Sequence, residues 1–119
     1  MVDALTHSGR SARALRRVLV EGDRLAISVI VLFEWLRGPR SKAELLLQEE
    51  LLPTAAALPM TAVEAAIAAQ LYRAASRSRG READLVIAAT AVSHEALLWT
   101  LNAADFKDLS GVRLYTPPA

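Results

Sequence analysis

Hydrophobic positions along the chain follow two alternating rhythms. Short apolar runs rich in β-formers, at Leu25 to Ile30, Leu97 to Thr100 and Val112 to Tyr115, have the length of buried parallel strands. Between them, apolar residues recur at helical spacing. From Asp84 onward Leu85, Ile87, Ala88, Ala91 and Val92 predict a helix starting on Asp84, with alanine dense enough to let neighbours approach closely. Earlier in the chain Ser11 can cap a helix running to about Val20, with Ala14, Leu15, Val18 and Leu19 inward and arginines outward, ended by Glu21-Gly22-Asp23. A second helix carries Glu34, Trp35 and Leu36 and stops at Gly38-Pro39, and Ser41 starts another that ends at Pro53. Thr61-Ala62-Val63-Glu64 reads as a capping box opening an Ala-rich helix to about Ser76. Thr54 to Pro59 reads as a weak strand and Arg77 to Gly80 as a polar loop.

Strands alternating with helices predict an α/β domain with a parallel sheet. Open sheets of this kind place their sites beyond the carboxyl ends of the strands. Asn102, Asp105 and Asp108 come directly after the Leu97 to Thr100 run. A helix N-terminus at Asp84 and that post-strand loop can meet at one sheet edge.

Composition narrows the class. A chain of 119 residues, 53% of them hydrophobic, makes one domain spanning 1–119 with a sizeable core and no internal repeat. The absence of cysteine excludes disulfides and thiolate metal sites. The longest apolar run, Leu25 to Phe33, is too short to span a bilayer, and the amino end lacks a signal-peptide pattern, so a cytoplasmic protein is expected. A net charge of +1 does not mark a nucleic-acid binder, but its distribution is uneven. Arg10, Arg13, Arg16, Arg17 and Arg24 cluster early, and Arg73, Arg77, Arg79 and Arg81 lead into Asp84. Such stripes can hold a phosphate backbone, and can equally be solvated helix faces.

Candidate chemistry rests on the acids. Glu34 sits within Val29 to Leu36, where a carboxylate is costly to bury unless paired or metal-bound; the plainer alternative is an exposed position or a pair with Arg37. Asp84 has a structural explanation in the helix macrodipole, and Asp105 and Asp108 in an ordinary turn near Ser110-Gly111. Convergence of Glu34, Asp84 and Asp105 in one pocket would instead raise at least one carboxyl pKa in the empty site and suit Mg²⁺ or Mn²⁺ through oxygen-only ligands. His7 and His94 have no metal-ligand spacing and read as surface residues, Trp35 and Trp99 as core or dimer-interface anchors, and Met60 as core filler. No phosphate-binding glycine loop or nucleophile elbow is present.

The pattern D-L-x-I-A-A-T-A from Asp84, followed by T-x-N-x-x-D-F from Thr100, resembles the second half of PIN-domain ribonucleases, especially VapC-type toxins of bacterial toxin–antitoxin pairs. The segment I-S-V-I-V-L-F-E-W-L-R-G at Ile27 to Gly38 resembles the family's second acidic segment. The resemblance implies a three-layer α/β/α domain and a Mg²⁺-dependent endoribonuclease, held inactive by an antitoxin protein and assembled as a homodimer. It makes Glu34 and Asp84 the second and third acidic positions. Asn102 and Asp105 both contend for the fourth, with Asp105 favoured for charge, Asn102 for orienting a water or phosphate, and Thr100 and Arg81 as supporting or substrate-binding groups. One departure stands out. The family opens with an apolar strand ending in Asp-Thr or Asp-Ser, whereas Met1-Val2-Asp3-Ala4-Leu5 resembles the segment after it. The expectation is therefore an N-terminally truncated domain with its central strand missing, either an empty slot in the sheet or the flanking strands closed onto each other, poor folding or borrowed strands, and no nuclease activity. In the alternative register Asp3 is itself the first ligand. The function classes left open are an active nuclease toxin, an inactive remnant that keeps only antitoxin or RNA binding, and an unrelated α/β binding module.

Overall fold

A computed structural model describes residues 2–3, 25–75, 79–100 and 103–115. The helix expected at Ser11 to Val20, the early arginine cluster, His7, Arg77 and Asn102 lie outside the described residues. The elements are β1 (Val2–Asp3), β2 (Leu25–Ala26), α1 (Val29–Leu36), α2 (Lys42–Leu51), a 3₁₀ turn (Thr54–Ala56), α3 (Ala62–Ala74), α4 (Glu82–Ser93), β3 (Leu97–Leu98) and a second 3₁₀ turn (Ala103–Phe106). Among the described residues no helix is long and apolar enough to cross a membrane.

The sheet is parallel, in the order β2-β1-β3. Val2 pairs with Leu25 and Leu97, and Asp3 with Ala26 and Leu98. This corrects the expectation of a missing central strand and an empty slot, because β1 itself fills the middle position. The physical reason is the ladder: a central strand satisfies peptide groups on both neighbours, and an open gap would leave those groups unpaired. Single parallel bridges extend the sheet outward on both sides, Ser28 to Leu58 and Leu98 to Leu114. The Leu58 amide donates to Ile27 O at 2.8 Å and the Tyr115 amide to Leu98 O at 2.8 Å. The weak strand expected at Thr54 to Pro59 is thus a 3₁₀ turn followed by one bridging residue, and the strand expected at Val112 to Tyr115 is a bridge at Leu114.

The β-type run Leu25 to Ile30 does not stay extended to its end. Ser28, fully buried, stands at the N-cap of α1, and its hydroxyl accepts from the Val31 amide at 3.2 Å. The chain therefore turns helical at Val29, through the β-branched residues Val29, Ile30 and Val31, because the cap satisfies a helix-end donor that an extended chain would leave for another partner. Both capping boxes form as the spacing requires: Ser41 with Glu44 at α2, and Thr61 with Glu64 at α3.

Helix α4 is the packing centre. Leu85, Ile87, Ala88, Ala89, Thr90 and Ala91 are all buried, so apolar side chains face inward around most of its circumference. It packs on α3, α1 and β3, and its alanines keep these approaches close. Leu85, Ile87 and Ala88 join Ile27, Val31, Leu71, Leu98, Phe106 and Leu109 in one core. Trp99 is also buried, with its ring 5.4 Å from that of Tyr115.

Glu64 is a charged residue inside this packing, only 4% exposed. It accepts from the Thr61 amide at 2.7 Å, and hydrogen bonds from Ser93 first and Thr61 second hold its carboxyl down to about 2 from an ordinary 4.5. A carboxyl lowered by folding stabilises the fold fully above pH of about 4.5, and that contribution disappears as pH falls toward about 2. Glu64→Gln is therefore expected to lower the urea midpoint at pH 6, and the gap to the parent protein should narrow steadily as pH falls from about 4.5 through about 2. A gap between the two that stays constant across that range would show that Glu64 does not titrate as described.

Candidate functional site at the carboxyl edge of the sheet

Each acidic candidate comes from a different element. Asp3 stands on β1, in register with Ala26 and Leu98, at the carboxyl end of the central strand. Glu34 lies on α1, the helix that leaves the end of β2, and is half-buried. Its neighbour Phe33 is 60% exposed, and Arg37 lies over the Phe33 ring, 5.7 Å from its centroid. The expected alternative of a Glu34–Arg37 pair does not form; Glu34 has no ion-pair partner among the described residues. Trp35 is covered instead by Arg40, whose guanidinium sits 3.5 Å from the ring centroid and whose Nε donates to Trp35 O at 2.9 Å.

Asp84 is half-buried in the first turn of α4. The helix starts two residues before it, at Glu82, with Arg81 at the N-cap. Gly80 precedes this with φ +83, a left-handed conformation that lets the chain reverse into the helix. Thr100 is half-buried after β3, and Asp105 is exposed in the 3₁₀ turn that follows. Phe106 and Leu109 anchor this loop in the core.

Arg81 joins the two halves of the site. Its side chain reaches from the start of α4 to the post-β3 loop, where one amino group donates to the Asp105 carbonyl oxygen and the other pairs with Asp108 Oδ2 at 3.4 Å. The helix turn that carries Asp84 and the loop that carries Asp105 are thereby brought side by side, as the order of strand and helix suggested. The role of Asp108 was not visible in the sequence, where it reads as a turn residue; an ion pair 27 positions apart leaves no local signal.

The donor types suit a hard divalent ion, since carboxylate, amide and hydroxyl oxygens are available and cysteine is absent. Among the described residues, however, no three Asp, Glu or His side chains stand together as they would around an ion. Glu34, Asp84 and Asp105 are therefore not grouped as an ion-binding cluster among the described residues.

Two apolar grooves lie among the described residues. One, of about 430 Å³, is lined by Val29, Leu32, Phe33, Leu36 and Arg37. The other, of about 290 Å³, lies between α3 and α4 beside Tyr72 and Val86.

Among solved structures, the chain is similar to one described as the crystal structure of VapBC2 from Rickettsia felis bound to a DNA fragment from their promoter. The two share 19% identity and superpose with a TM-score of 0.66, over 99% of this chain and 100% of that one. At this identity the likeness shows a common fold. No curated protein sequence matches the chain. The family model described as PIN domain matches residues 1–112, from the central strand through the loop that Arg81 holds, and the chain therefore belongs to the PIN domain family.

Proposed function

We propose that this protein is a divalent-metal-dependent endoribonuclease and the toxin half of a toxin–antitoxin pair, acting in the cytoplasm. The observation that carries this reading is an acidic edge in a PIN domain: Asp3 at the end of the central strand, Asp84 in the first turn of α4, and Asp105 in the loop tied to that turn. Glu34, on the helix leaving β2, completes the acidic set.

Bound Mg²⁺ or Mn²⁺ supplies charge neutralisation at the phosphate under attack and a more acidic water. The residues do the rest. Asp84, Glu34 and Asp105, with Asp3 as the first-strand acid, are the residues that would hold the ion. Asp105 also contributes negative charge on the solvent side, where a proton can be accepted. Thr100 and Asn102 orient the scissile phosphate or the attacking water through hydroxyl and amide groups. The antitoxin is proposed to lay an apolar segment into the groove of Val29, Leu32, Phe33 and Leu36, next to Glu34, as a helix enters a groove. A homodimer is proposed as the assembled toxin.

A second reading is a catalytically inactive PIN domain that retains antitoxin or RNA binding. One assay separates the two. The purified chain is incubated with RNA in Mg²⁺, in EDTA, and as Asp3→Asn in Mg²⁺. The nuclease reading expects cleavage in the first case and its loss in both others, with Asp3→Asn down by about a hundredfold or more, on the scale of losing one electrostatic stabiliser. Absence of cleavage in Mg²⁺ and in Mn²⁺ supports the inactive reading. Full activity of Asp3→Asn removes Asp3 from the site.

A further inference from the structure

Arg81 reads from the sequence as one of a stripe of arginines suited to an RNA backbone. Its surroundings are different. Helix α4 begins without a side-chain cap, since Arg81 occupies the N-cap position and makes no capping bond. Its guanidinium turns to the post-β3 loop, donating to the Asp105 carbonyl and pairing with Asp108 Oδ2 at 3.4 Å. The Arg81 side chain is 19% exposed and that of Asp108 43%. A phosphate approaching this guanidinium has to compete with a carboxylate already in place.

We infer that Arg81 is a positioning residue, which locks the Asp105 loop against the first turn of α4 and does not bind the RNA phosphate. The effect on turnover rests on the nuclease reading above; the lock itself does not. Phe106 and Leu109 pin the loop from the core side, and Leu109 donates to Phe106 O at 3.2 Å. Those apolar anchors fix its depth. The planar guanidinium, with two donors meeting two acceptors, fixes its orientation on the solvent side. Through this lock the backbone of Asp105 keeps its place relative to Asp84. Pairing with Arg81 also offsets the charge of Asp108, which otherwise adds to repulsion among the acids of this edge.

A partly exposed ion pair adds little to global stability, but displacement of a reacting group by about 1 Å can cost about a hundredfold in rate. The two effects are therefore separable. The test compares the parent chain with Arg81→Ala, Arg81→Lys, Asp108→Asn and the Arg81→Ala/Asp108→Asn double variant. Amide hydrogen exchange over residues 103–109 is read first. It is expected to speed up about tenfold or more in Arg81→Ala and Asp108→Asn, with exchange in α3 unchanged and Arg81→Lys intermediate. On a short RNA oligonucleotide, kcat is expected to fall roughly 10- to 100-fold with KM within about threefold. The double variant should be no slower than Arg81→Ala, because both changes remove one interaction. The salt dependence of KM should keep its slope, whereas loss of a phosphate contact lowers that slope by about one.

Unaltered exchange at 103–109 in Arg81→Ala overturns the lock, whatever happens to cleavage. A raised KM with intact kcat and a reduced salt slope overturns it in favour of a phosphate contact. Failure of the parent chain to cut RNA sinks the nuclease reading and leaves the exchange result to decide the lock. Should Arg81→Ala not fold, Asp108→Asn carries the same exchange test.

Discussion

Replacing Asp84 by Asn is expected to reduce Mg²⁺-dependent RNA cleavage by at least about a hundredfold, comparable to removal of a single electrostatic stabiliser in other active sites. The same change should leave the thermal midpoint within a few degrees. Asp84 sits in the first turn of α4, two residues after the helix begins at Glu82, so Asn keeps its shape and a polar oxygen while losing the carboxylate charge. Loss of the favourable macrodipole interaction costs about 0.3–1 kcal/mol at such a position. Glu82 remains in the same turn to offset part of it. Activity and stability therefore separate in this variant, which a purely structural role for Asp84 does not allow. Cleavage that survives both Asp84→Asn and EDTA would point to a different mechanism or to a contaminating nuclease. Relief of growth inhibition by the same substitution is the corresponding expectation in cells.

Leu98→Ala is expected to have the largest effect on stability. Leu98 is 0% exposed, pairs with Asp3 across β1 and β3, and bridges to Leu114 on its other side. It lies in the core shared by Leu85 and Phe106. Truncating a buried leucine to alanine costs about 2–5 kcal/mol, set by how far the site can collapse. A short strand held on both edges has little freedom to move into the space. Against a total of about 5–15 kcal/mol, such a loss takes a large share of the stability and should lower the thermal midpoint by roughly 10 °C or more. Leu46, 63% exposed on α2, is the control, and Leu46→Ala should change the midpoint hardly at all. Equal effects from the two substitutions would contradict the core assignment.

Much of the local structure was legible in the residues themselves. Ser41 and the Thr61-to-Glu64 box announced two helix starts, and a capping box forms at each, the one with Glu44 emerging only in the structure. The Ala-rich run from Asp84 announced α4, and its burial around most of its circumference follows from having few polar residues to expose. The Leu97 run announced a strand, and the polar residues after it announced the turn that follows. These signals act over three or four residues, through caps, periodicity and side-chain size, so a single chain carries them openly.

Only the tertiary structure decided the rest. Val29 to Val31 has the composition of a strand, yet it is helical, because buried Ser28 caps the helix while the backbone at Ile27 and Val29 bonds to Leu58, some thirty positions onward. Val2–Asp3 is too short to announce itself as a strand. Its place in the centre of the sheet depends on parallel partners at Leu25 and Leu97, far along the chain. Arg81 looked like one more arginine in a basic stripe until the fold set it against Asp108 and the Asp105 carbonyl. In each case the deciding energy comes from groups distant in sequence, hydrogen-bonded or buried together only once the chain has closed, and no local pattern of hydrophobic and polar residues encodes which distant group will answer.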